Sequence, residues 1–420
     1  MGRSCRICHD RNYPNSCDVW IDVQVHDLGT FCWNCEGIVM EFDLQEYKSA
    51  WKLEEGVHHC NHGSFGSVPT IVQEAQRAIQ DRVQLNTVKF FARNAMNEVQ
   101  DARAKVATFL NQKPEQITLV RNTTEAASTT MRGFPFKAGD EAIVLDHEYG
   151  AVMYAVKRAV EAAGGKMIEV VVPRLATDEE VVALVEAALT PRTRMFVVDH
   201  VTSATARTFP VQALSDLCRE RGVAIAIDAS HTPGNFELDL DKLDADFWFG
   251  NLHKWASAPL GCGVYRVAVR WHGAMRPLIV SWQDHENYPL PWDMLGTVDL
   301  SAWLAAPAAI DFYSAIGWKR VRAANTARMR YGRDLVMAEL GVGKDELREE
   351  ELPLGVIPLH KMDGGRDGCI ALQRRFAEVH KIEVPITTAC NQYFMRISGQ
   401  LYNTPADYEA LVVAVRKELK

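Results

Sequence analysis

The chain has 420 residues, a net charge of −8, 47% hydrophobic residues and 24% charged residues. The negative charge argues against nucleic acid as a partner, and the composition is that of a folded globular protein. No apolar stretch is as long as a membrane span, and the N-terminus lacks the apolar core of a signal peptide, so we expect a cytoplasmic protein with no membrane partner.

The first 43 residues are rich in cysteine and predict a metal-binding extension. Two CxxC pairs supply four thiolates, the closed tetrahedral set that is typical of structural zinc. The predicted zinc ligands are Cys5, Cys8, Cys32 and Cys35. The gap between the pairs is slightly wider than usual, so Cys17, His9 or His26 is an alternative ligand. Thiols without a metal, and haem attachment at the CxxCH pattern that begins at Cys5, are the other interpretations.

Residues 44–69 are predicted to join a small domain to the rest of the chain. A short helical pattern runs from Leu44 to Lys52, and a polar, glycine-containing loop follows at 58–66. A long helical region then runs from about Thr70 to Asn111, with an interruption near Asn86.

Short apolar runs alternate with helical patterns from residue 117 onward. The predicted strands are 117–120, 142–145, 167–172, 195–198, 223–227, 246–249 and 263–266. This alternation predicts an α/β fold in which a mostly parallel sheet is covered by helices on both faces. Ligands of such sheets bind at the carboxyl ends of the strands. Five polar residues that follow apolar runs are therefore expected in one site: Thr123, His147, Asp199, Asp228 and Lys254.

From about residue 301 the pattern changes to that of a smaller α+β domain. Helices are predicted at 304–316, 320–340 and 404–419, and strands at 356–358, 369–372 and 394–398. The predicted division is an extension over 1–43, a joining segment over 44–69, a large domain over 70–300 and a small domain over 301–420.

Lys254 and Asp228 together predict pyridoxal phosphate (PLP) as the cofactor. Asp228 ends one apolar run, and Lys254 follows the next among aromatic residues. A lysine forms the Schiff base with the PLP aldehyde, while a carboxylate keeps the pyridine nitrogen protonated so that the ring accepts electrons. A surface lysine is the alternative for Lys254 considered alone.

The remaining cofactor contacts follow from the same expected position. Thr123 and Thr124 begin a helix whose free N–H groups suit a phosphate, although a plain helix cap is the alternative. His147 is expected to lie on the ring face or to act only as a structural hydrogen-bonding residue. Asp199 is expected near the phenolic oxygen or in a turn, and His231 near that oxygen or as a proton carrier.

Arg396 is the predicted substrate anchor. It lies inside an apolar strand pattern, where a buried guanidinium requires an anion. The α-carboxylate of an amino acid suits its bidentate geometry, and a structural salt bridge is the alternative. Asn61 and His62, in the polar loop, are the other predicted substrate contacts.

These residues together resemble the class V aminotransferase family of fold-type I PLP enzymes, in its isopenicillin N epimerase-like branch. The resemblance runs from about Cys60 to Lys420 over seven stretches in the same order. They are 61–66, 146–150, 199–203, 228–234, 251–255, 296–297 and 396–403. It implies a homodimer with shared sites, in which Thr297 of one subunit reaches the phosphate of the other. It also implies that Ser203, Ser230 and His253 contact the cofactor.

Several reactions at Cα or Cβ of an amino acid or amino-acid conjugate are compatible with this resemblance. We expect β-elimination by a C–S lyase, with epimerisation as the alternative. Transamination, decarboxylation and cysteine desulfuration are further alternatives, and a sensor that binds PLP without turnover is the non-enzymatic one. Desulfuration requires a mobile cysteine, for which Cys390 lies very close to Arg396 and Cys369 is expected inside a buried strand.

Overall fold

A seven-stranded sheet forms the centre of the computed structural model, which describes residues 42–420. Its strands are β2 (Ile117–Val120), β3 (Glu141–Leu145), β4 (Lys166–Val170), β5 (Thr193–Asp199), β6 (Ala224–Asp228), β7 (Phe247–Asn251) and β8 (Gly263–Val267). The strand order is β2-β8-β7-β6-β5-β3-β4, and only the pairings of β8 within this sheet are antiparallel. The expectation of a mostly parallel sheet is therefore confirmed, and six of the strands are buried along nearly their whole length because helices cover both faces.

Helices alternate with these strands and then dominate the C-terminal third. They are α1 (His62–Phe65), α2 (Thr70–Leu85), α3 (Thr87–Lys89), α4 (Ala95–Phe109), α5 (Thr123–Gly133), α6 (Gly150–Ala162), α7 (Asp178–Ala188), α8 (Val211–Arg221), α9 (Leu240–Leu243), α10 (Leu290–Asp293), α11 (Ser301–Ile316), α12 (Trp318–Leu340), α13 (Gly365–His380) and α14 (Pro405–Leu419). The break predicted near Asn86 is real, since the side chain of Asn86 accepts from the N–H of Lys89 and starts a new helix. Within residues 42–420 no helix has both the length and the apolar character needed to cross a membrane.

A second, three-stranded antiparallel sheet lies near the C-terminus. Its order is β11 (Ile386–Ala389), β12 (Gln392–Ser398) and β9 (Leu354–Pro358), and a separate parallel pair joins β1 (His58–His59) to β10 (Ile382–Glu383). The expected small α+β architecture is confirmed, although the boundary at residue 300 stays a prediction. The strand predicted at 369–372 is wrong, because these residues lie in the middle of α13. Four apolar residues in a row fit a buried helix as well as a strand.

The segment that contains β1 connects the two sheets. The N–H of Ser398, at the end of β12, donates to the carbonyl of Cys60, and the N–H of Cys60 donates to the carbonyl of Glu383. The loop at 61–66 then continues towards the large sheet. The loop at 61–66 and the end of β12 therefore meet near the carboxyl ends of β5, β6 and β7, which lie side by side in the large sheet. The four cysteines of the predicted zinc site lie outside the described residues.

Candidate active site

Lys254 lies just beyond the end of β7, in contact with a neutral histidine. Its Nζ is 3.2 Å from Nε2 of His231, and the indole N–H of Trp255 donates to Nδ1 of the same ring at 3.1 Å. Because the indole can only donate, a neutral His231 keeps its proton on Nε2, which faces the lysine. Burial lowers the pKa of Lys254 to about 8, and it lowers that of His231 well below its usual value. This arrangement makes the nucleophilic amine form of Lys254 more abundant than it is for an exposed lysine.

Asp228 ends β6 as a completely buried carboxyl with one oxygen unused. Oδ1 accepts from the N–H of Ser230 at 2.8 Å, whereas Oδ2 has no partner among the described residues. Burial raises the pKa of Asp228, and the bonds from Ser230 and the charge of Lys254 oppose that rise. A buried acceptor without a donor is costly, and the pyridinium N–H of PLP is a donor that fits it. The residues present therefore fit the cofactor.

A group of hydroxyl and amide side chains surrounds the first turn of α5. Oγ1 of Thr123 accepts from the hydroxyl of Ser230 at 2.9 Å and from the amide of Asn251 at 3.2 Å. The side chain of Thr124 is exposed beside them. These donors, with the helix N-terminus, suit a phosphate. Asn251 was not predicted, although it ends a buried strand as Asp228 does.

His253 lies in the same turn in a state that affects how it can bind phosphate. Its Nδ1 lies 3.1 Å from the carbonyl of Cys262, so this nitrogen donates. Burial lowers the pKa of His253 to about 4, which leaves the other nitrogen without a proton. His253 can donate to a phosphate only after it takes up a second proton, a change that the phosphate charge favours.

His147 is fully engaged with neighbouring protein groups. Nε2 lies 3.0 Å from the carbonyl of Val172 and 3.2 Å from Sγ of Cys390, and Nδ1 lies 2.9 Å from the hydroxyl of Thr205. These bonds hold the ring edge-on against Phe209. The structural role is the better supported of its two interpretations, and stacking on the cofactor stays a prediction.

The two residues after His147 are the ones in this loop that lie with other site residues. Glu148 places a carboxyl oxygen within 4.8 Å of oxygens of both Asp199 and Asp228. The phenol of Tyr149 is 48% exposed and acts electrostatically on Arg396. Asp199 lies beside the carboxyl expected at the pyridine nitrogen, because it is opposite Asp228 in the pairing of β5 with β6. Its contact with the phenolic oxygen stays a prediction.

Arg396 is buried and has only neutral partners among the described residues. One terminal nitrogen donates to the carbonyl and hydroxyl of Ser203, at 2.6 and 3.1 Å. The other donates to the hydroxyl of Ser64 at 2.7 Å and to Oδ1 of Asn61 at 3.4 Å, while Nε has no partner. Burial lowers the pKa of Arg396 to about 10, the phenol of Tyr149 opposes this shift, and no aspartate or glutamate of residues 42–420 contributes to it. Residues 42–420 therefore supply no structural salt bridge to Arg396. Ser203 contacts this guanidinium, and its contact with the cofactor stays a prediction.

The last two predicted residues lie apart from the reacting groups. His62 is buried, with its ring nitrogens 3.1 Å from the hydroxyl of Tyr402 and 3.0 Å from the backbone carbonyl of Lys254. It supports the backbone of Lys254, and its contact with a substrate stays a prediction. Thr297 is exposed and lines a surface groove of about 680 Å³ beside α2.

Comparisons with known proteins agree with this geometry. The model of the family described as aminotransferase class-V matches residues 68–411. Isopenicillin N epimerase of Amycolatopsis lactamdurans is 29% identical over 384 residues, which are 87% of this chain and 96% of that protein. L-cysteine desulfhydrase of Arabidopsis thaliana is 27% identical over 406 residues, or 87% of this chain and 89% of its own.

A solved structure has the same fold. The complex between the cystine C–S lyase C-DES and its reaction product cysteine persulfide matches with a TM-score of 0.74 at 18% identity, covering 86% of this chain and 98% of that chain. The resemblance inferred from the sequence is thus confirmed, as is the fold-type I architecture. The match over residues 68–411, with a site whose free carboxyl and lysine fit PLP, shows that the chain belongs to the aminotransferase class-V family and is a PLP-dependent enzyme.

Proposed function

We propose that the protein is a β-eliminating C–S lyase whose substrate is an amino acid or conjugate with sulfur on Cβ. The observation that supports this best is the direct contact between Lys254 and His231. Elimination needs a base for the Cα proton and a nearby acid for the departing sulfur. The two groups in contact can perform both tasks on one side of a substrate.

Arg396 fixes the substrate end that does not react. Its guanidinium has no counter-charge among residues 42–420, and Ser203 and Ser64 hold its terminal nitrogens in place. An α-carboxylate accepts two parallel bonds from such a fork. The α-amino group and Cα are then directed towards Lys254.

PLP supplies a protonated ring that accepts electrons when the Cα–H bond breaks. Lys254, as the free amine, takes the Cα proton. The electron pair forms a Cα–Cβ double bond as the Cβ–S bond breaks, and the sulfur leaves with the bonding electrons. A proton from the lysine ammonium, directly or through His231, neutralises this sulfur. Hydrolysis of the unsaturated product then gives pyruvate and ammonia when the substrate is a cysteine derivative.

The cysteines of the described part of the chain do not favour desulfuration. Cys369 is buried within α13, and Cys390 contacts His147. Burial, with the charge of Asp146 next, raises the pKa of Cys390 to about 11. A thiol of this kind is a poor nucleophile at neutral pH.

Epimerisation is the second candidate, and Tyr149 is the residue that favours it. Tyr149 is partly exposed, and its phenol acts electrostatically on the Arg396 guanidinium. A phenol near the substrate carboxylate can return a proton to Cα from a direction other than that of Lys254. The relatives include both an epimerase and a desulfhydrase at similar identity, so they do not separate the two reactions.

The deciding experiment incubates the PLP-loaded protein in heavy water with a panel of amino acids that includes S-substituted cysteines. Mass spectrometry then follows products and deuterium. We expect pyruvate, ammonia and a free thiol. Intact amino acid with deuterium at Cα and inverted configuration would establish the epimerase, and a keto acid from a substrate without a leaving group would establish transamination.

A pair of variants controls this experiment. Lys254→Ala removes the base and should abolish product formation. Tyr149→Phe keeps the ring but removes the phenol, so lyase activity should persist and any epimerase activity should fall. If no substrate undergoes elimination, epimerisation or transamination, the non-catalytic binding role is the better description.

We also propose that the protein is a homodimer whose active sites are shared between subunits. Val88 and Val298 are exposed large apolar residues that line the same groove as Thr297. Exposed apolar groups clustered beside a predicted phosphate ligand are typical of an interface. Sedimentation of the PLP-loaded protein tests this proposal.

The cysteines of residues 1–43 are proposed to bind one structural zinc ion. Four thiolates in two CxxC pairs support this proposal. The test is metal analysis of the full chain, with Cys5→Ser and Cys32→Ser as variants and Cys218→Ser as the control. About one zinc per chain is expected, lost in both variants and kept in the control. The cytoplasm is the proposed location, since structural thiolate sites and free cysteines suit a reducing compartment.

A further inference from the structure

Three buried carboxyl groups meet at the carboxyl ends of neighbouring strands. Asp228 ends β6, Asp199 ends β5, and Glu148 follows β3. One oxygen from each lies within 4.8 Å of the others, and one oxygen of each side chain has no hydrogen-bond donor within residues 42–420. All three side chains are at least nine-tenths buried. Neither Glu148 nor Asp199 has a role in the reaction steps proposed above.

Three negative charges cannot coexist at these distances in a buried site. Closely spaced carboxyl groups share protons because a second ionisation is opposed by the first charge. Asp228 is the member that ionises, since Ser230 donates to it and Lys254 attracts it. Burial, with the charge of Asp228 next, raises the pKa of Glu148 well above the usual range. Burial, with the charges of Glu148 and then Asp228, does the same for the pKa of Asp199.

Nearby hydrogen-bond donors favour one negative charge on the pair formed by Glu148 and Asp199. The N–H of Tyr149 donates to Oε1 of Glu148 at 3.1 Å, at the N-terminus of the 13-residue helix α6. The N–H of Asp199 also stabilises ionised Glu148, and the charge of Lys254 stabilises ionised Asp199. Helix N-termini and backbone donors stabilise an anion. These donors thus support one negative charge on the pair of Glu148 and Asp199, and the charge of Asp228 opposes a second one.

We propose that Glu148 and Asp199 share one proton, and that the single negative charge left on the pair acts through Asp228 to keep the pyridine nitrogen of bound PLP protonated. Glu148 is then a positioning residue of the cofactor site. The inference rests on PLP binding at Lys254, and it is independent of which reaction follows. A protonated ring is the electron acceptor that all of these reactions need.

The test is a pH titration of the visible absorption of the PLP-loaded full chain, without substrate. The variants are Glu148→Gln, Asp199→Asn and the double variant, and Asp146→Asn in the same loop is the matched control. A single amide can still donate to the remaining carboxylate, so each single variant should titrate as the wild type does. The double variant has lost the negative charge of the Glu148–Asp199 pair. The midpoint of its absorption titration should therefore fall by on the order of one pH unit.

A second signal comes from PLP labelled with ¹⁵N in the ring. In the double variant the nitrogen resonance should move towards that of an unprotonated pyridine, while the control and single variants stay at the wild-type position. A shift in each single variant would mean that both carboxyls are ionised. An unchanged double variant would mean that both are neutral. Either result overturns the proposal.

Infrared difference spectra decide the matter even if the double variant fails to fold or to load. A shared proton gives the wild type one carboxylic-acid carbonyl band from this pair. Replacing either residue should remove that band completely, because the remaining carboxyl is then ionised. Loss of only half the band would mean two neutral acids and would overturn the proposal. No substrate is used, so absence of lyase activity would not affect the result.

Discussion

At the scale of single residues, the amine of Lys254 is the group whose protonation decides how PLP is captured. Its pKa is lowered to about 8 by burial, so the reactive amine is a minor form at pH 7 and dominant above pH 9. The rate at which the cofactor-free protein captures PLP should rise about tenfold per pH unit below pH 8 and then level off. Stopped-flow absorption between pH 6 and 10 measures it.

The control for this pH dependence is Lys254→Ala, which should show no covalent capture at any pH. A rate that continues to rise up to about pH 10 would show a lysine with an ordinary pKa and would contradict the burial argument. His231→Gln should keep the capture reaction. It should slow the elimination step, since the contact with Nζ that returns the proton is lost.

Arg396 gives opposite predictions for activity and stability. Arg396→Met should raise KM for the amino acid about 10- to 150-fold, the equivalent of roughly 1.5–3 kcal/mol for bonds to a charged group. Its PLP absorption should be unchanged. The free energy of unfolding of the substrate-free protein should stay the same or rise, because an unpaired buried charge has been removed.

Steady-state kinetics and urea denaturation measure the two effects on the same sample. Arg416→Met, at an exposed arginine paired with Glu339, is the control and should change neither by much. A strongly destabilised Arg396→Met protein with normal KM would indicate a structural arginine.

The sequence was sufficient to identify Lys254, Asp228 and Arg396, because a charged residue at the end of or inside an apolar strand pattern is costly to bury unless it binds an opposite charge. It was insufficient for Glu148 and Tyr149. They follow His147 directly, and which of three consecutive loop residues faces the site depends on the turn that the backbone makes after β3. Asn251 was missed because an amide at a strand end resembles an ordinary turn residue.

At the scale of elements, the loop that ends in Gly66 approaches the lysine turn so closely that a side chain has no room. Gly66 has φ +76°, and a Cβ there would lie 2.1 Å from the carbonyl oxygen of His253. With ψ 148°, Gly66 has a backbone conformation that essentially only glycine adopts. Gly66→Ala should therefore cost roughly 1–3 kcal/mol for this conformation and a further 1–3 kcal/mol for the displaced backbone. It should also weaken PLP binding.

Gly56 is a matched control for this prediction. It has the same φ of +76°, but a Cβ there meets nothing within 4 Å. Gly56→Ala should cost only the left-handed strain, roughly 1–2 kcal/mol, and leave PLP affinity unchanged. Equal effects of the two substitutions on PLP affinity, measured by fluorescence titration, would show that close packing at Gly66 does not position the lysine turn.

Among elements, sequence patterns were reliable where they were long. The strands of the large sheet and the long helices α11, α12 and α14 lie where they were expected. The errors are concentrated around α13, where a short apolar run was interpreted as a strand, and at β11, whose Ile386-Thr387-Thr388-Ala389 segment has no strong alternation. Tertiary contacts decide such segments.

At the scale of the whole molecule, the apolar groove around Thr297 should control assembly. Val298→Asp places a charge on a side chain that is 44% exposed in the single subunit. We expect a shift from dimer to monomer together with weaker PLP binding. The charge prevents the apolar surface of the second subunit from packing into the groove, and each active site then lacks Thr297 of that subunit. Val413→Asp, on α14 and similarly exposed, should leave the dimer intact.

Sedimentation at several protein concentrations, with PLP absorption recorded in the same cell, measures both effects. A wild-type protein that is monomeric at all concentrations would contradict the proposal. So would a monomeric Val298→Asp variant with normal PLP affinity, because it would show that Thr297 contributes nothing to the phosphate.

The contact between Arg396 and the loop at 61–66 determines when the enzyme becomes competent during its synthesis. Asn61 and Ser64 leave the ribosome more than 330 residues before the arginine that they bind. The cofactor end, from Thr123 to Lys254, can assemble while translation continues, because domains fold as units. The nascent chain is therefore expected to hold PLP before it can select a substrate. Amino-acid recognition is completed only at the end of translation.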